Sequence, residues 1–274
     1  MKKKRLPYKL AMYILLLIVT VVVAFPFIWM IFSSFKDIKE FYYIPPTLFP
    51  EQYQLGNYQE LFGKGDFGLY YLNSLFVTAV QVVSNILIVL AAGYGFAKFQ
   101  FKGRSLLFML VLATTMIPWV ATIIPLYILA NNFNLIDTYL GLIIPGMADA
   151  FSIFLARNFM TSIPTPLMEA ARIDGAGEFS IFRKVVIPSV KPLIAVIGIQ
   201  KLVSSWNAFQ WPLLVVNSDR YKTLPLAIAR LSSQYYDAYD LKMAAACLAI
   251  IPVLILYIIF QRYFVEGISL SGIK

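Results

Sequence analysis

The sequence predicts an all-α, polytopic membrane protein: six transmembrane helices in a single domain over residues 1–274, with a polar helix–turn–helix between the fourth and fifth spans. Three observations lead there. Only 14% of the residues are charged and 60% are hydrophobic, whereas a soluble domain carries about a quarter charged residues. The apolar residues gather into uncharged runs of about 19 or more, close to the roughly 20 that a helix needs to cross a bilayer. Between two of those runs the chain turns polar, hinged and proline-bounded: "MEAARIDGAGEFSIFRKVVIPSV", Met168 to Val190.

The expected spans lie near 11–33, 72–97, 105–130, 139–157, 191–215 and 243–262. Backbone groups in hydrocarbon must be satisfied within their own segment, so each is read as a helix. The first follows "MKKKRLPYK", and its apolar run of about 26 residues exceeds the core of a cleavable signal, so it is read as an uncleaved first helix. Small residues in "AAGYGFA" and "MAAACLA" suit close helix packing.

The net charge of +9 does not call for nucleic acid, because the bases sit between apolar runs as membrane anchors do. With the N-terminus inside, about 15 bases fall on the inner side and about 7 on the outer, with Lys201 left within a span. Both termini are therefore expected in the cytoplasm. The outer loops are then 36–71, 131–138 and 216–242; Tyr235, Tyr236 and Tyr239 are candidate contacts there, or part of a helix lying at the interface. The chain has no histidine and one cysteine, Cys247, which excludes His/Cys metal sites and an internal disulfide. No catalytic residue and no metal ligand is expected.

Within the inner loop, 158–190, Thr165 is a candidate cap and Pro166 fits a first helical turn. Met168 to Ile173 favours helix, and Gly175 to Gly177 permits a bend. A second short helix should carry Phe179, Phe182 and Val186 on one side and Arg183 and Lys184 on the other, with Pro188 and Pro192 ending it. Glu169 and Arg172 lie one turn apart, placed to pair with each other or with a partner. On the residues alone, the segment either rests on lipid headgroups or receives another protein against the small Ala170 and Ala171.

The segment resembles the cytoplasmic loop shared by the membrane subunits of bacterial ABC importers. That pattern is Glu-Ala-Ala, three residues, Gly, nine residues, Ile-x-Leu-Pro. Here it reads Glu169, Ala170, Ala171, then Gly175, then Val185, Val186, Ile187, Pro188; Val185 and Ile187 depart from it conservatively. "PPTLFP…NYQELF", "NSLFVTA", "WNAFQWPLLV", "TLPLAIA" and "FVEGISLSGIK" are similar to the maltose-type, carbohydrate-uptake branch of permease subunits. The resemblance implies a cytoplasmic or plasma membrane location in a bacterium or archaeon. It implies three kinds of partner: a second homologous permease, two ATP-binding cassette ATPases, and an extracytoplasmic solute-binding protein. It makes Glu169, Ala170, Ala171, Arg172, Asp174 and Gly175 the ATPase-coupling residues. No Walker A sequence occurs, "FGKGDFG" lacking its spacing. The chain is thus expected not to be an enzyme and to hold no cofactor, with ATP and Mg bound by the partner ATPase.

Intramembrane polar groups are costly and mark candidate substrate contacts. These are Gln81 and Asn85, four apart on one helix face, Thr114, Thr115, Asp149, Lys201, Trp206, Asn207 and Gln210. Amides and aromatic faces suit a sugar, and the same groups also suit helix-to-helix bonds. Asp149 lies roughly 12 Å along its helix from Arg157, and Lys201 roughly 15 Å from Lys191. An ion pair between them is expected, since a lone charge at that depth costs at least about 2.5 kcal/mol. The alternative for Lys201 is an anionic substrate, an acidic sugar or polyol phosphate. An ion-coupled secondary carrier would also use Asp149 and Lys201, but it leaves the inner loop unexplained and the chain shows no inverted repeat.

Overall fold

The structure is a computed structural model describing residues 5–63, 66–231 and 238–271, with the backbone path alone for 5–8, 256 and 260–271. Its helices, in chain order, are α1 Arg5–Ser33, α2 Gly56–Gly63, α3 Phe67–Lys98, α4 Arg104–Thr114, α5 Trp119–Asn132, α6 Tyr139–Ile143 and α7 Ala150–Thr161. Then come α8 Thr165–Ile173, α9 Glu178–Ile181, α10 Ile187–Ser189, α11 Lys191–Trp206, α12 Gln210–Val215, α13 Leu224–Ala229 and α14 Tyr239–Ser271. No strand occurs among the described residues. Tyr235 and Tyr236 lie outside those residues.

Three helices are long and apolar enough to cross a membrane unbroken: Lys9–Ser33, Phe67–Lys98 and Tyr239–Ile259. Three bent pairs supply the rest, and the expected count of six is reached only when each pair is taken as one span. The run read as one helix over 105–130 is broken between α4 and α5 by 101°. Pro118 is the cause. It has no N–H to donate and holds an extended ψ of 137°, so the preceding turn tightens into i→i+3 bonds ending at Ile117. The run over 139–157 bends by 42° between α6, with its 3₁₀ extension Ile144–Gly146, and α7. The third pair is Glu178–Ser189 with Lys191–Trp206, bent by 79°, so it begins inside the stretch expected as a loop; the run expected over 191–215 stops at Trp206 and restarts at Gln210.

The chain divides into two compact units, one of Met1–Gly68 with Ala227–Pro252, the other of Leu69–Leu226 with Val253–Lys274. In the first, a polar hub closes the C-terminal end of α1. Lys36 is 2% exposed, gives its ammonium to the Thr47 carbonyl and lies 4.8 Å from the Trp29 ring centre. Burial pushes the Lys36 ammonium pKa down, with Glu40 opposing. Asn57 donates to the Ser34 and Lys36 carbonyls at 3.0 and 2.8 Å, and Tyr58 to Ser34 Oγ at 2.8 Å. Lys36, Asn57 and Tyr58 thus each have an acceptor, the condition for burying polar groups without a large penalty, whereas the buried hydroxyls of Ser33 and Thr47 have no partner.

In the second unit, one apolar core joins α3, α7, α8, α9 and α11 through Val89, Met160, Met168, Ile181, Val190 and Ile197. Another joins α3, α6, α12 and α13 through Val77, Leu142, Trp211 and Leu226. The α3–α7 contact is close because Gly93 has no side chain. A Cβ there would meet Ala156 Cβ at 2.6 Å and its backbone at 3.1 Å. Neither helix can yield without moving backbone. Gly93→Val should therefore cost about 1–3 kcal/mol of packing strain, read as a lowered thermal midpoint of the detergent-solubilised protein. A midpoint equal to the parent's would refute the close contact.

Candidate functional site

The polar segment between the fourth and fifth expected spans forms a helical knob. Helix α8 starts at Thr165 with Pro164 as its N-cap and Pro166 in its first turn, and no side chain caps it. Thr165 is thus the first helical residue and not the cap expected of it. The Pro164 carbonyl accepts from Leu167 N–H at 3.2 Å instead. Two prolines leave few donors for a side chain to satisfy. Met168, 2% exposed, drives one face of α8 into the core. The opposite face shows Leu167, Glu169, Ala170, Arg172 and Ile173, the last 86% exposed.

The end of α8 is fixed by backbone geometry. Gly175 sits at φ +80°, its N–H donates to the Arg172 carbonyl at 3.0 Å, and Ala176 N–H reaches the Ala171 carbonyl at 2.9 Å. This paired closure is the Schellman arrangement. It turns the chain back so that Glu178 stands beside Arg172 at 2.7 Å. Of the two alternatives for Arg172 and Glu169, the pairing with each other does not form within 4.0 Å; Glu169 stays exposed, acting on Arg172 only electrostatically. The second Glu178 oxygen accepts from Tyr94 Oη on α3 at 3.0 Å. Lys98, the last residue of α3, donates to the Ile163 carbonyl at 2.6 Å just before α8. The knob is therefore fastened to the C-terminal end of α3 at two polar points and one apolar one.

After α9 the chain makes a π turn over Phe182–Val186. In such a turn residues five apart stack, so the buried pair is Ile181 and Val186. Phe179, expected on that side, is 76% exposed.

The Arg172 hydrogen bond holds the Glu178 carboxyl below the usual carboxylate range, with burial opposing and the Tyr94 hydroxyl assisting. A depressed carboxyl stabilises the loop above its unfolded value of about 4.3 and loses that contribution as pH falls through the folded value.

The predicted substrate-path residues separate into two groups. Gln81 and Asn85 serve as fasteners on α3. Gln81 Nε2 donates to the Leu142 carbonyl at 2.9 Å, pressed on Gly146, where a Cβ would lie 2.4 Å from its amide. Asn85 Nδ2 donates to Asp149 Oδ2 at 3.2 Å. Asp149 Oδ1 caps α7 by accepting from Ser152 N–H at 2.7 Å. The expected Asp149–Lys201 ion pair is not formed within 4.0 Å: the Asp149 carboxylate is engaged by Asn85 and Ser152 and acts on Lys201 only from farther away. A helix start has orphan N–H groups, and Asp149 is spent on them. Trp206 is 4% exposed, its ring 5.7 Å from that of Tyr71. Asn207 donates back to the Val203 carbonyl at 2.9 Å. Thr114 and Thr115 do the same to Val111 and Leu112, and with Gln210 they are exposed.

Gln81 and Lys201 do share a cavity of about 240 Å³, whose other polar walls are Ser74, Thr78, Ser204, Ser205 and Thr223, with the indoles of Trp119 and Trp211. The hydroxyls escaped the sequence reading, although Ser74, Thr78, Gln81 and Asn85 follow i, i+4, i+7, i+11, one face of α3. That periodicity was the available signal.

Residues 84–270 match the family described as "Binding-protein-dependent transport system inner membrane component". The chain is 36% identical over 258 residues to an arabinooligosaccharides transport system permease protein of Halalkalibacterium halodurans, covering 92% of each. It is 31% identical over 272 residues to the lactose transport system permease protein of Rhizobium radiobacter, covering 99% and 98%. Among solved structures, a bacterial ABC transporter involved in import of the acidic polysaccharide alginate contains a chain of the same fold. The TM-score is 0.84 at 24% identity, over 96% of this chain and 98% of that one.

A residue with a Cβ at position 175 must enter the left-handed region at a cost of about 1–2 kcal/mol. Gly175→Ala should loosen the knob alone, measured as faster proteolysis or amide exchange over 165–178, with the rest of the protein unaltered. Unchanged protection would show that the turn does not depend on glycine.

Proposed function

This chain belongs to the family of binding-protein-dependent transport system inner membrane components, and we propose that it is the membrane-spanning permease subunit of an ATP-driven ABC importer carrying a sugar or oligosaccharide into the cytoplasm. The cargo class rests on the relatives, whose names give arabino-oligosaccharides and lactose. In this reading the chain works with a second homologous permease, two ATPase subunits that bind ATP and Mg²⁺, and an extracytoplasmic binding protein at the outer loops. Both termini lie in the cytoplasm, in keeping with the excess of bases on that side.

The observation that carries the mechanism is the fastening of α8. Its outward face offers Glu169, Ala170, Arg172 and Ile173 to a docking groove. Asp174 is its C-cap, and Gly175 makes the turn. Its inward face is locked to α3 through Met168, the Tyr94–Glu178 bond and the Lys98–Ile163 bond. Two ATPases closing around ATP displace α8. Because α8 cannot slip on its anchor, the displacement reaches α3 and with it the wall of the cavity. That is coupling through an element which both the nucleotide and the cargo bias. Ala170 and Ala171 keep the knob's profile low, so a groove can approach its backbone.

Glu169→Lys reverses the one unpartnered acid on the docking face and touches nothing in the core. ATP-driven uptake in proteoliposomes should fall to background while membrane insertion and thermal midpoint stay at parental values. Parental uptake would remove the docking role. Glu178→Gln is expected to weaken coupling at neutral pH and to abolish the pH dependence of loop protection below about pH 4. An acid-sensitive loop in that variant would assign the dependence to another group.

A further inference from the structure

Lys201 projects from α11 into a cavity that contains no carboxylate. It is half-buried, and its ammonium makes no hydrogen bond and no ion pair within 4.0 Å among the described residues; Asp149 acts on it electrostatically from farther away. Asp149, the acid its depth suggests, is consumed by Ser152 and Asn85. The cavity is built and not merely left over. Thr223, 5% exposed, lines it with a hydroxyl oxygen that has no partner. Ser205 and Thr78 present neighbouring hydroxyls at 3.3 Å. Trp119 and Trp211 supply ring faces, 6.4 Å apart between centres. Hydroxyls and indoles suit a sugar ring, and an ammonium without a direct ion-pair partner suits an anion attached to it.

We propose that this cavity is a subsite for an anionic sugar unit, its carboxylate or phosphate group meeting Lys201 Nζ and its hydroxyls meeting Thr223, Ser205 and Thr78. The proposal rests on the importer reading above and narrows its cargo. The size agrees. About 240 Å³ lies below the roughly 300–1,000 Å³ of a site that encloses a whole drug-sized ligand. The subsite takes one charged unit and not a chain. The ammonium here also discriminates: an acidic sugar gives it a direct ion-pair partner, and a neutral one does not.

The test uses the assembled importer in proteoliposomes with its binding protein. Three probes are compared: a uronic-acid-containing disaccharide, a sugar phosphate, and the neutral parent disaccharide. The parent protein is expected to move one of the two acidic probes in preference to the neutral one, and which of them distinguishes carboxylate from phosphate. Lys201→Gln should lower the acidic-to-neutral uptake ratio at least about tenfold, a change of about 1.4 kcal/mol, and Lys201→Arg should largely restore it. Three results overturn the subsite: an unchanged ratio in Lys201→Gln, an equal loss for all probes with loss of co-purified partners, or a parent protein that prefers the neutral probe. The importer reading survives each of these. ATP-independent uptake, or no uptake of any sugar, would instead strike that reading itself.

Discussion

The polar segment that carries α8 turns on Glu178, which accepts from Arg172 with one oxygen and from Tyr94 with the other. It joins the nine-residue α8 to α3, the longest unbroken helix of the second unit. A short helix is marginal alone, because nucleating it costs more than a few hydrogen bonds return. Here α8 persists because Met168 buries its inner face and the Schellman closure and Glu178 fix its end. The exposed face is then free to be shaped by docking alone. The polar bonds set direction more than stability, since exposed ion pairs contribute little.

A second constraint shapes the membrane region. Helices that break inside a bilayer release backbone groups that hydrocarbon cannot satisfy. The repairs are local and specific: Asp149 caps α7, Gln81 takes the Leu142 carbonyl at the end of α6, and Trp211 Nε1 takes the Gly141 carbonyl at 2.8 Å. These breaks open room for the cavity beside Lys201. Irregular backbone at membrane depth is tolerated where it is buried in protein or lines a cavity, and the second unit follows that rule.

Much of this was legible in the residues. Long uncharged runs set the helices, Gly175 to Gly177 marked a bend, and the Glu-Ala-Ala spacing marked the knob. What escaped had physical causes. Pro118 sits in an unbroken apolar run, so hydropathy hid a 101° bend that its missing N–H imposes. Arg172 chose Glu178 over the nearer-in-sequence Glu169 because the turn at Gly175 folds the chain back, a contact that i,i+3 spacing does not contain. The π turn over Phe182–Val186 shifted the helix phase and exposed Phe179. Asp149 went to a helix cap because its span bends just before it.

The central claim is that the outward face of α8 seats an ATPase. Cross-linking from Ala170→Cys, with the native Cys247 replaced by alanine, reads it directly in membranes that contain the complete transporter. The account predicts an adduct with the nucleotide-binding subunit whose yield changes when ATP is added. An α8 that labels freely from water and forms no adduct, in a preparation still importing sugar, would contradict it.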